Sequence, residues 1–308
     1  MIFIVLRWKK PEISDGEWIR NIVENEDMIG SDVSFANIFL LRDKYNIEIT
    51  DYKGAFIRKY NGTGTRCGYT FPLGKTDYKK ALLAIENDAI ERGENLQFTF
   101  LTEEQKQALE KYRPDQFLFE SDEGDSDYIY LRQELADLSG KAFHKKKNHV
   151  SKFIRTYDNW EYQELGECNW EKAERVADRW YYDHIDQKDE SQKMEYRGIK
   201  EALYYFQQLN LIGGIVYANG KPCAMTIASK INQDVVDVHF EKAIGEFAVN
   251  GGYAVINNMF AKNVRGIKWL NREEDINIEG LRRAKMSYRP KKLLKKYHAC
   301  MKISSFKD

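Results

Sequence analysis

The stretch KWLNREEDINIEGLRRAKMSYRP, Lys268–Pro290, places many charges of both signs directly after a short apolar strand. Loops that follow strands often carry functional side chains, which favours a site wall here. A network of ion pairs at a domain interface is the alternative. The candidates for substrate contacts in this run are Arg272, Glu273, Asp275, Arg282 and Lys285.

A second charged patch, HFEKA at His239–Ala243, ends another apolar strand about thirty residues upstream. Alternation along a strand puts Asp237, His239 and Glu241 on one face. A carboxylate two residues from an imidazole can orient it and raise its basicity, so we predict a general base or an anchor for a substrate amine. A structural ion pair is the alternative.

Composition indicates a globular chain of two ordinary domains, since 308 residues with 43% hydrophobic content can form two cores. The four scattered cysteines fit reduced thiols in a cytoplasmic protein. The N-terminus, MIFIVLRWKK, has too few apolar residues for a membrane span, which needs about 20. We therefore expect a soluble protein of the cytoplasm.

The net charge is zero, but two segments, Lys141–Arg155 and Leu281–Cys300, hold basic residues and no acids. They would form an anion site if they met in space, or they are two separate solvated faces. The first predicts a helix whose apolar stripe includes Lys147, which either extends to solvent or reaches into a cavity. His144 and Asn148 lie on a different, exposed face of this helix and are candidate phosphate contacts.

Each half of the chain shows hairpin strands, then a helix, then a strand, which predicts an α+β protein of two similar units. Each unit is expected to be a mixed, mostly antiparallel sheet flanked by helices. The predicted boundary lies in the acidic segment Glu120–Asp127, with Ser139-Gly140 just after it as the alternative, and we take the domains as residues 1–126 and 127–308. The second domain carries the predicted site.

Motifs for metals and nucleotides are weak in this sequence. Five scattered histidines give no metal-ligand spacing, so no metal is predicted. Gly251 and Gly252 precede a helix, where an acetyltransferase would bind the pyrophosphate of coenzyme A. Val249 stands where that motif has Arg or Gln, which counts against coenzyme A, and a glycine pair is also an ordinary helix start.

Six segments together resemble the C-terminal domain of the phosphatidylglycerol lysyltransferases and the soluble uncharacterised proteins grouped with it. The segments are SDVSFANIFL (Ser31–Leu40), FPLG (Phe71–Gly74), DYIYL (Asp127–Leu131), GKAFHKKKNHVSKF (Gly140–Phe153), His239–Ala243 and Asn271–Pro290. The resemblance implies two tandem acetyltransferase-like (GNAT) units, related in fold to the Fem aminoacyl transferases, in a bacterial protein.

The resemblance also implies a reaction: an aminoacyl group passes from aminoacyl-tRNA to an amine or hydroxyl of a small-molecule or lipid-derived acceptor. The acceptor would attack the ester directly, and no cofactor is required. His239, Glu241 and Lys147 stand at motif positions implied to be catalytic. Lys242, Arg272, Glu273 and Lys285 stand at positions implied to bind substrate. An acetyl-coenzyme A-dependent N-acetyltransferase and a non-catalytic ligand-binding module are the alternatives.

Overall fold

A computed structural model describes residues 6–184 and 190–302. The strands are β1 (Ile47–Tyr52), β2 (Ala55–Asn61), β3 (Cys67–Tyr69), β4 (Gln97–Leu101), β5 (Phe117–Glu120), β6 (Asp127–Leu131), β7 (Glu161–Glu164), β8 (Leu211–Ala218), β9 (Lys221–Lys230), β10 (Val235–Ala243), β11 (Trp269–Asn271), β12 (Lys292–Leu294) and β13 (Tyr297–Met301). The α-helices are α1 (Gly16–Glu24), α2 (Phe35–Leu40), α3 (Tyr78–Arg92), α4 (Glu103–Tyr112), α5 (Arg132–Asp137), α6 (His144–Thr156), α7 (Trp170–His184), α8 (Glu190–Tyr204), α9 (Gly245–Val249), α10 (Gly252–Asn263) and α11 (Glu279–Met286).

The first sheet has the order β1-β2-β3-β4-β13-β5 and is antiparallel except between β3 and β4. Helix α3 covers it with buried Leu82 and Ile85, and Gly93 in the left-handed conformation ends that helix. Helix α4 begins with a capping box between Thr102 and Gln105. Local sequence signals therefore set the ends of both helices.

The second sheet has the order β12-β6-β11-β10-β9-β8-β7, and only its β10–β11 pair is parallel among the strands described. The core on one face includes Val255 of α10 and Phe153 of α6. The core on the other face includes Val176 of α7 and Ile199 of α8. The predicted α+β class, with two mixed, mostly antiparallel sheets flanked by helices, is confirmed.

The two sheets share a core, and the chain returns from the second sheet to the first between β12 and β13. Ile38 of α2 and Ile199 of α8 belong to one buried apolar cluster, so the halves are packed without a solvated gap at this point. Strand β13 lies between β4 and β5, which places residues 297–301 in the first sheet. The division at residue 126 stays a prediction. Residues 297–301, which belong to the predicted second domain, form a strand of the first sheet.

In the part of the chain described, no helix has both the length and the apolar content needed to cross a membrane.

Candidate functional site

A gap opens at the ends of the parallel strands β10 and β11. The two strands pair only over 235–237 and 269–271, after which β10 continues to Ala243. The chain after β11 stays with β6 instead, because Arg272 and Glu273 exchange main-chain hydrogen bonds with Tyr128. Side chains from both strands therefore reach the gap, including His239 and Glu241 of β10 and the two residues after β11.

A β-bulge at His239 turns its two neighbours to opposite faces of the sheet. Val238 pairs with Ala228 and Phe240 with the preceding residue of β9, so His239 is an extra residue without a partner. The bulge reverses the alternation of faces after it. Our prediction that His239 and Glu241 share a face is therefore wrong, and their side chains have separate partners.

On one face, the imidazole of His239 lies between two carboxylates. Its Nδ1 is 3.1 Å from Glu273 Oε1 and 3.4 Å from Asp237 Oδ2. Its Nε2 is 2.8 Å from the hydroxyl of Ser229, and Asn37 of α2 donates to the same Glu273 oxygen at 3.0 Å. Of the two carboxylates predicted on the face of His239, Asp237 does lie beside the imidazole, whereas the second carboxylate there comes from residue 273 rather than 241.

Asp237 lies wholly inside the protein, and neither of its carboxylate oxygens has a hydrogen-bond partner among the residues described. Burial first, and then the charge of Glu273, raise the pKa of Asp237 well above its usual range. An unpaired buried carboxyl of this kind is costly, which makes it a marker of a site.

On the other face, Glu241 holds Arg272. Arg272 Nη2 donates to Glu241 Oε1 at 2.9 Å, and Asn257 of α10 donates to the second carboxylate oxygen at 3.1 Å. The guanidinium lies 4.8 Å from the ring centre of Tyr288 and 5.6 Å from that of Tyr130. Arg272 Nη1 is buried and has no hydrogen-bond partner in the described part of the chain. The arrangement therefore leaves one oriented donor unused.

Lys146 of α6 joins this face. Its ammonium lies 3.8 Å from the centre of the Tyr288 ring. Burial, and secondly the charge of Arg272, lower the pKa of Lys146 to about 8. Phe143, Lys146, Val150 and Phe153 follow one helical stripe, and this spacing is the signal that could have identified the lysine.

Lys147 is exposed, so our placement of it on the apolar stripe is wrong by one residue. It lines a shallow pocket of about 480 Å³ together with His144, and none of the side chains described above at the gap lines this pocket. His144 and Asn148 are exposed on α6, as predicted. Contacts of these three residues with a substrate stay predictions.

The C-terminal part of the charged run, Asp275–Lys285, stabilises the loop after β11 through internal hydrogen bonds. Buried Lys285 donates to the main-chain carbonyls of Arg272 and, at 2.6 Å, Glu274. Buried Asp275 accepts from Tyr128 at 2.5 Å and from Arg282 at 2.7 Å. Asp275 and Arg282 thus form an ion pair, as the ion-network alternative expects, whereas Lys285 is held by main-chain carbonyls. Contacts of these three residues with a substrate stay predictions.

Lys242 lies on the face opposite Arg272. Its ammonium is 3.7 Å from the ring centre of Trp180 and 2.6 Å from Glu195 Oε1. The two basic runs do meet where Lys146 covers Tyr288. Because Lys285 and Lys296 of the second run are buried, the runs form no uniform basic surface.

Gly251 and Gly252 have a packing role at the start of α10. Gly251 has φ 106°, and a Cβ there would lie 2.4 Å from the carbonyl oxygen of His149. A Cβ on Gly252 would lie 2.8 Å from the carbonyl oxygen of Phe247. Close approach of the main chain explains both glycines without a ligand, and coenzyme A binding there stays a prediction.

A buried ion cluster between the two sheets has no motif in the sequence that predicts it. Lys296 Nζ lies 2.7 Å from Asp127 Oδ1, 3.7 Å from Asp32 Oδ1 and 4.0 Å from Glu274 Oε2. Arg66 lies 2.7 Å from the other oxygen of Glu274. This cluster connects the first sheet to the loop after β11 and so supports the wall of the gap.

The profile of the family described as phosphatidylglycerol lysyltransferase, C-terminal, matches residues 25–300. The chain belongs to this family. The resemblance predicted from the six sequence segments is thereby confirmed. A conserved protein of unknown function from Bacteroides thetaiotaomicron has a similar structure, with a TM-score of 0.89 and 33% identity over 97% of this chain and 100% of that one.

Two further solved structures share the fold. The C-terminal domain of a putative lysylphosphatidylglycerol synthetase from Agrobacterium fabrum has a TM-score of 0.63 and 13% identity over 95% of this chain and 92% of that one. L-PGS from Bacillus licheniformis has a TM-score of 0.64 and 14% identity over 94% of this chain and 92% of that one. At this identity, the likeness concerns the fold alone.

Proposed function

We propose that the chain is an aminoacyltransferase that moves an aminoacyl group from aminoacyl-tRNA to an amine or hydroxyl acceptor, with its reaction site at the gap between β10 and β11. Membership of the phosphatidylglycerol lysyltransferase C-terminal family supports an acyltransferase-type protein. The donor and the acceptor class are part of the proposal.

One observation carries the proposal: Arg272 Nη1 is buried beside Lys146 and has no hydrogen-bond partner among the described residues. A buried N–H donor without an acceptor costs about 1–3 kcal/mol, so a ligand oxygen is favoured there. The carbonyl oxygen of an acyl ester gains negative charge when a nucleophile attacks. A fixed donor stabilises that oxygen more in the transition state than in the ground state.

Glu241 is a positioning residue in this scheme. One of its oxygens accepts from Arg272 Nη2 and the other from Asn257, so Glu241 restrains the guanidinium through Nη2, while Nη1 has no partner among the described residues. A carboxylate that is itself held by Asn257 reduces the freedom of the arginine before substrate binds. Glu241 itself needs no contact with the substrate.

Lys146 supplies proton transfer. In its neutral form the amine takes a proton from the acceptor while the acceptor nitrogen or oxygen bonds to the ester carbon. The same proton then goes to the 3′-terminal ribose oxygen of the tRNA as the ester C–O bond breaks. Because the pKa of Lys146 is lowered to about 8, a useful fraction is neutral in mildly alkaline solution.

Positive charge on α6, beside the gap, supports tRNA as the carrier of the aminoacyl group. Helix α6 carries Lys146 on its inner face, while Lys145, Lys147, Lys152 and Arg155 are exposed. Such a face can bind the phosphates near the acceptor end of a tRNA. No acid lies in α6 to oppose it.

The test uses bulk tRNA charged with radiolabelled amino acids, with phosphatidylglycerol vesicles and free amines as acceptors. We expect charged tRNA to bind, with affinity falling as salt rises, and the label to leave tRNA faster than by spontaneous hydrolysis. No binding at about 50 mM salt together with no loss of label would overturn the proposal. Acetyl-coenzyme A, as a second donor, tests the alternative acetyltransferase.

A further inference from the structure

The carboxyl of Asp237 has no explanation in the reaction just described. It lies on the face of β10 opposite Arg272, is 0% exposed, and makes no hydrogen bond through either oxygen within the described chain. Its Oδ2 is directed at His239 Nδ1, 3.4 Å away. A buried carboxyl is normally paired or bound to a metal.

The surrounding donor atoms have the spacing of metal ligands. One oxygen from each of Asp237 and Glu273 and one ring nitrogen of His239 all lie within 4.8 Å of one another. Nδ1 is 3.1 Å from Glu273 Oε1 and 3.4 Å from Asp237 Oδ2. Tetrahedral zinc with bonds of about 2.0–2.1 Å separates its ligands by roughly 3.3–3.4 Å, so both distances from the imidazole are close to those of a zinc site.

The outer contacts hold these donors in place. The hydroxyl of Ser229 lies 2.8 Å from His239 Nε2, so an Nε2–H can donate to it and leave the Nδ1 lone pair facing the two carboxylates. Asn37 donates to Glu273 at 3.0 Å and fixes that carboxylate. Partners of this kind orient the ligands of metal sites.

The charges facing Asp237 favour a cation. Besides Glu273, the acids Asp127 and Glu274 act on it, and the opposing ammonium is that of Lys296. Lys296 is engaged with Asp127 at 2.7 Å, which leaves the carboxyl at 237 without an ion pair of its own apart from the imidazole. A divalent ion would compensate two carboxylates at once.

We propose that Asp237, His239 and Glu273 bind one divalent transition-metal cation, with Zn²⁺ the best match to one imidazole and two carboxylates at this spacing. Three protein ligands leave a fourth position for water or a substrate oxygen. The site is independent of the proposed aminoacyl transfer, whose steps use the other face of the sheet. Spacing in the sequence did not indicate it, because residue 273 is far from 237 and 239 along the chain.

The experiment measures Zn²⁺ binding to the full chain after chelator treatment, by competition with a chromophoric chelator. We expect one equivalent to bind and the protein to gain thermal stability. The variants Asp237→Asn and His239→Gln should each weaken Zn²⁺ by about 100-fold or more. Glu241→Gln is the matched control, since it removes a carboxylate of the same strand on the opposite face, and its Zn²⁺ affinity should stay within twofold.

Equal Zn²⁺ affinity in wild type and Asp237→Asn, or no Zn²⁺ binding by wild type, would overturn the proposal. If Asp237→Asn fails to fold, His239→Gln gives the same comparison. Co²⁺ gives a second readout on the wild type. Visible d–d absorption of bound Co²⁺ without thiolate charge-transfer bands supports the site. Thiolate charge-transfer absorption would assign the binding to cysteine and contradict the proposal.

Discussion

Replacing Lys296 by Met removes a buried charge while keeping most of the aliphatic side chain. The ammonium lies 2.7 Å from Asp127, 3.7 Å from Asp32 and 4.0 Å from Glu274, and it donates to the hydroxyl of Ser31 at 3.2 Å. Burial opposes its charge, but Asp127 and Glu274 outweigh burial and raise the pKa of Lys296. The ammonium is therefore held by its anions.

Lys296→Met should lower the free energy of unfolding, because it leaves the buried carboxylate of Asp127 without its cation. Asp127 is 0% exposed and would be left with hydrogen bonds but no cation at contact distance. Breaking a buried ion pair by removing one partner costs about 3–5 kcal/mol of unfolding free energy. Met fills the space of the lysine stem, so this loss is electrostatic rather than a packing defect.

The loss of unfolding free energy in Lys296→Met should depend on pH. Burial raises the pKa of Asp127 even with Lys296 present, and removing the lysine raises it further. A carboxyl with a raised pKa in the folded state costs stability increasingly as pH rises, because the unfolded chain ionises it first. We therefore expect Lys296→Met to be less damaging at pH 5 than at pH 8.

Urea unfolding at both pH values measures this, with Lys295→Met as the control, because Lys295 is the exposed neighbour. The control should change the free energy of unfolding by less than about 0.5 kcal/mol. A loss below about 1 kcal/mol for Lys296→Met at pH 8, or an equal loss at both pH values, would refute the reasoning.

Three other predictions follow from single contacts. Gly251→Ala should cost about 1–3 kcal/mol through its φ of 106° and its contact with His149, whereas Gly220→Ala, with φ 70° and open space, should cost about 1 kcal/mol; thermal unfolding compares them. Asn258→Ala leaves two carbonyls at the end of α5 without their donor, and denaturant unfolding should show a loss of about 1–3 kcal/mol. The transfer rate should rise with pH through about 8, because deprotonated Lys146 is the active form, and a flat rate between pH 7 and 9 would contradict this.

Much of the fold was predictable because its signals are local. The turn at Asn219-Gly220, with both residues at positive φ, joins β8 to β9 as the sequence indicates. The capping box at Thr102 likewise marks the start of α4. Such features depend on neighbouring residues, which a single sequence displays directly.

The meeting of the two charged segments was predictable, but their side-chain pairings were not. The charged end of β10 and the run after β11 do meet at one gap, yet the bulge at His239 separates it from Glu241. A bulge depends on the pairing register with β9, which the sequence of β10 does not show. Likewise, a shift of one residue on a helix decides between Lys146 and Lys147, because it rotates a side chain by about 100°.

The ion cluster around Lys296 was missed for a different reason. Lys296 lies in a run that looks like a solvated basic tail, while its partners Asp32, Asp127 and Glu274 are spread along the whole chain. Only the insertion of β13 into the first sheet brings them together. Long-range pairing of this kind has no local signal.

The most direct test of the account compares the transfer rate from charged tRNA for wild type, Lys146→Met and Lys145→Met. Lys145 is exposed on the same helix, so it matches the substitution without touching the gap. We predict a loss of about 100-fold or more for Lys146→Met with tRNA affinity within twofold of wild type, and a rate within twofold for Lys145→Met. Equal rates for Lys146→Met and wild type would contradict the central claim that the gap between β10 and β11 is the reaction site.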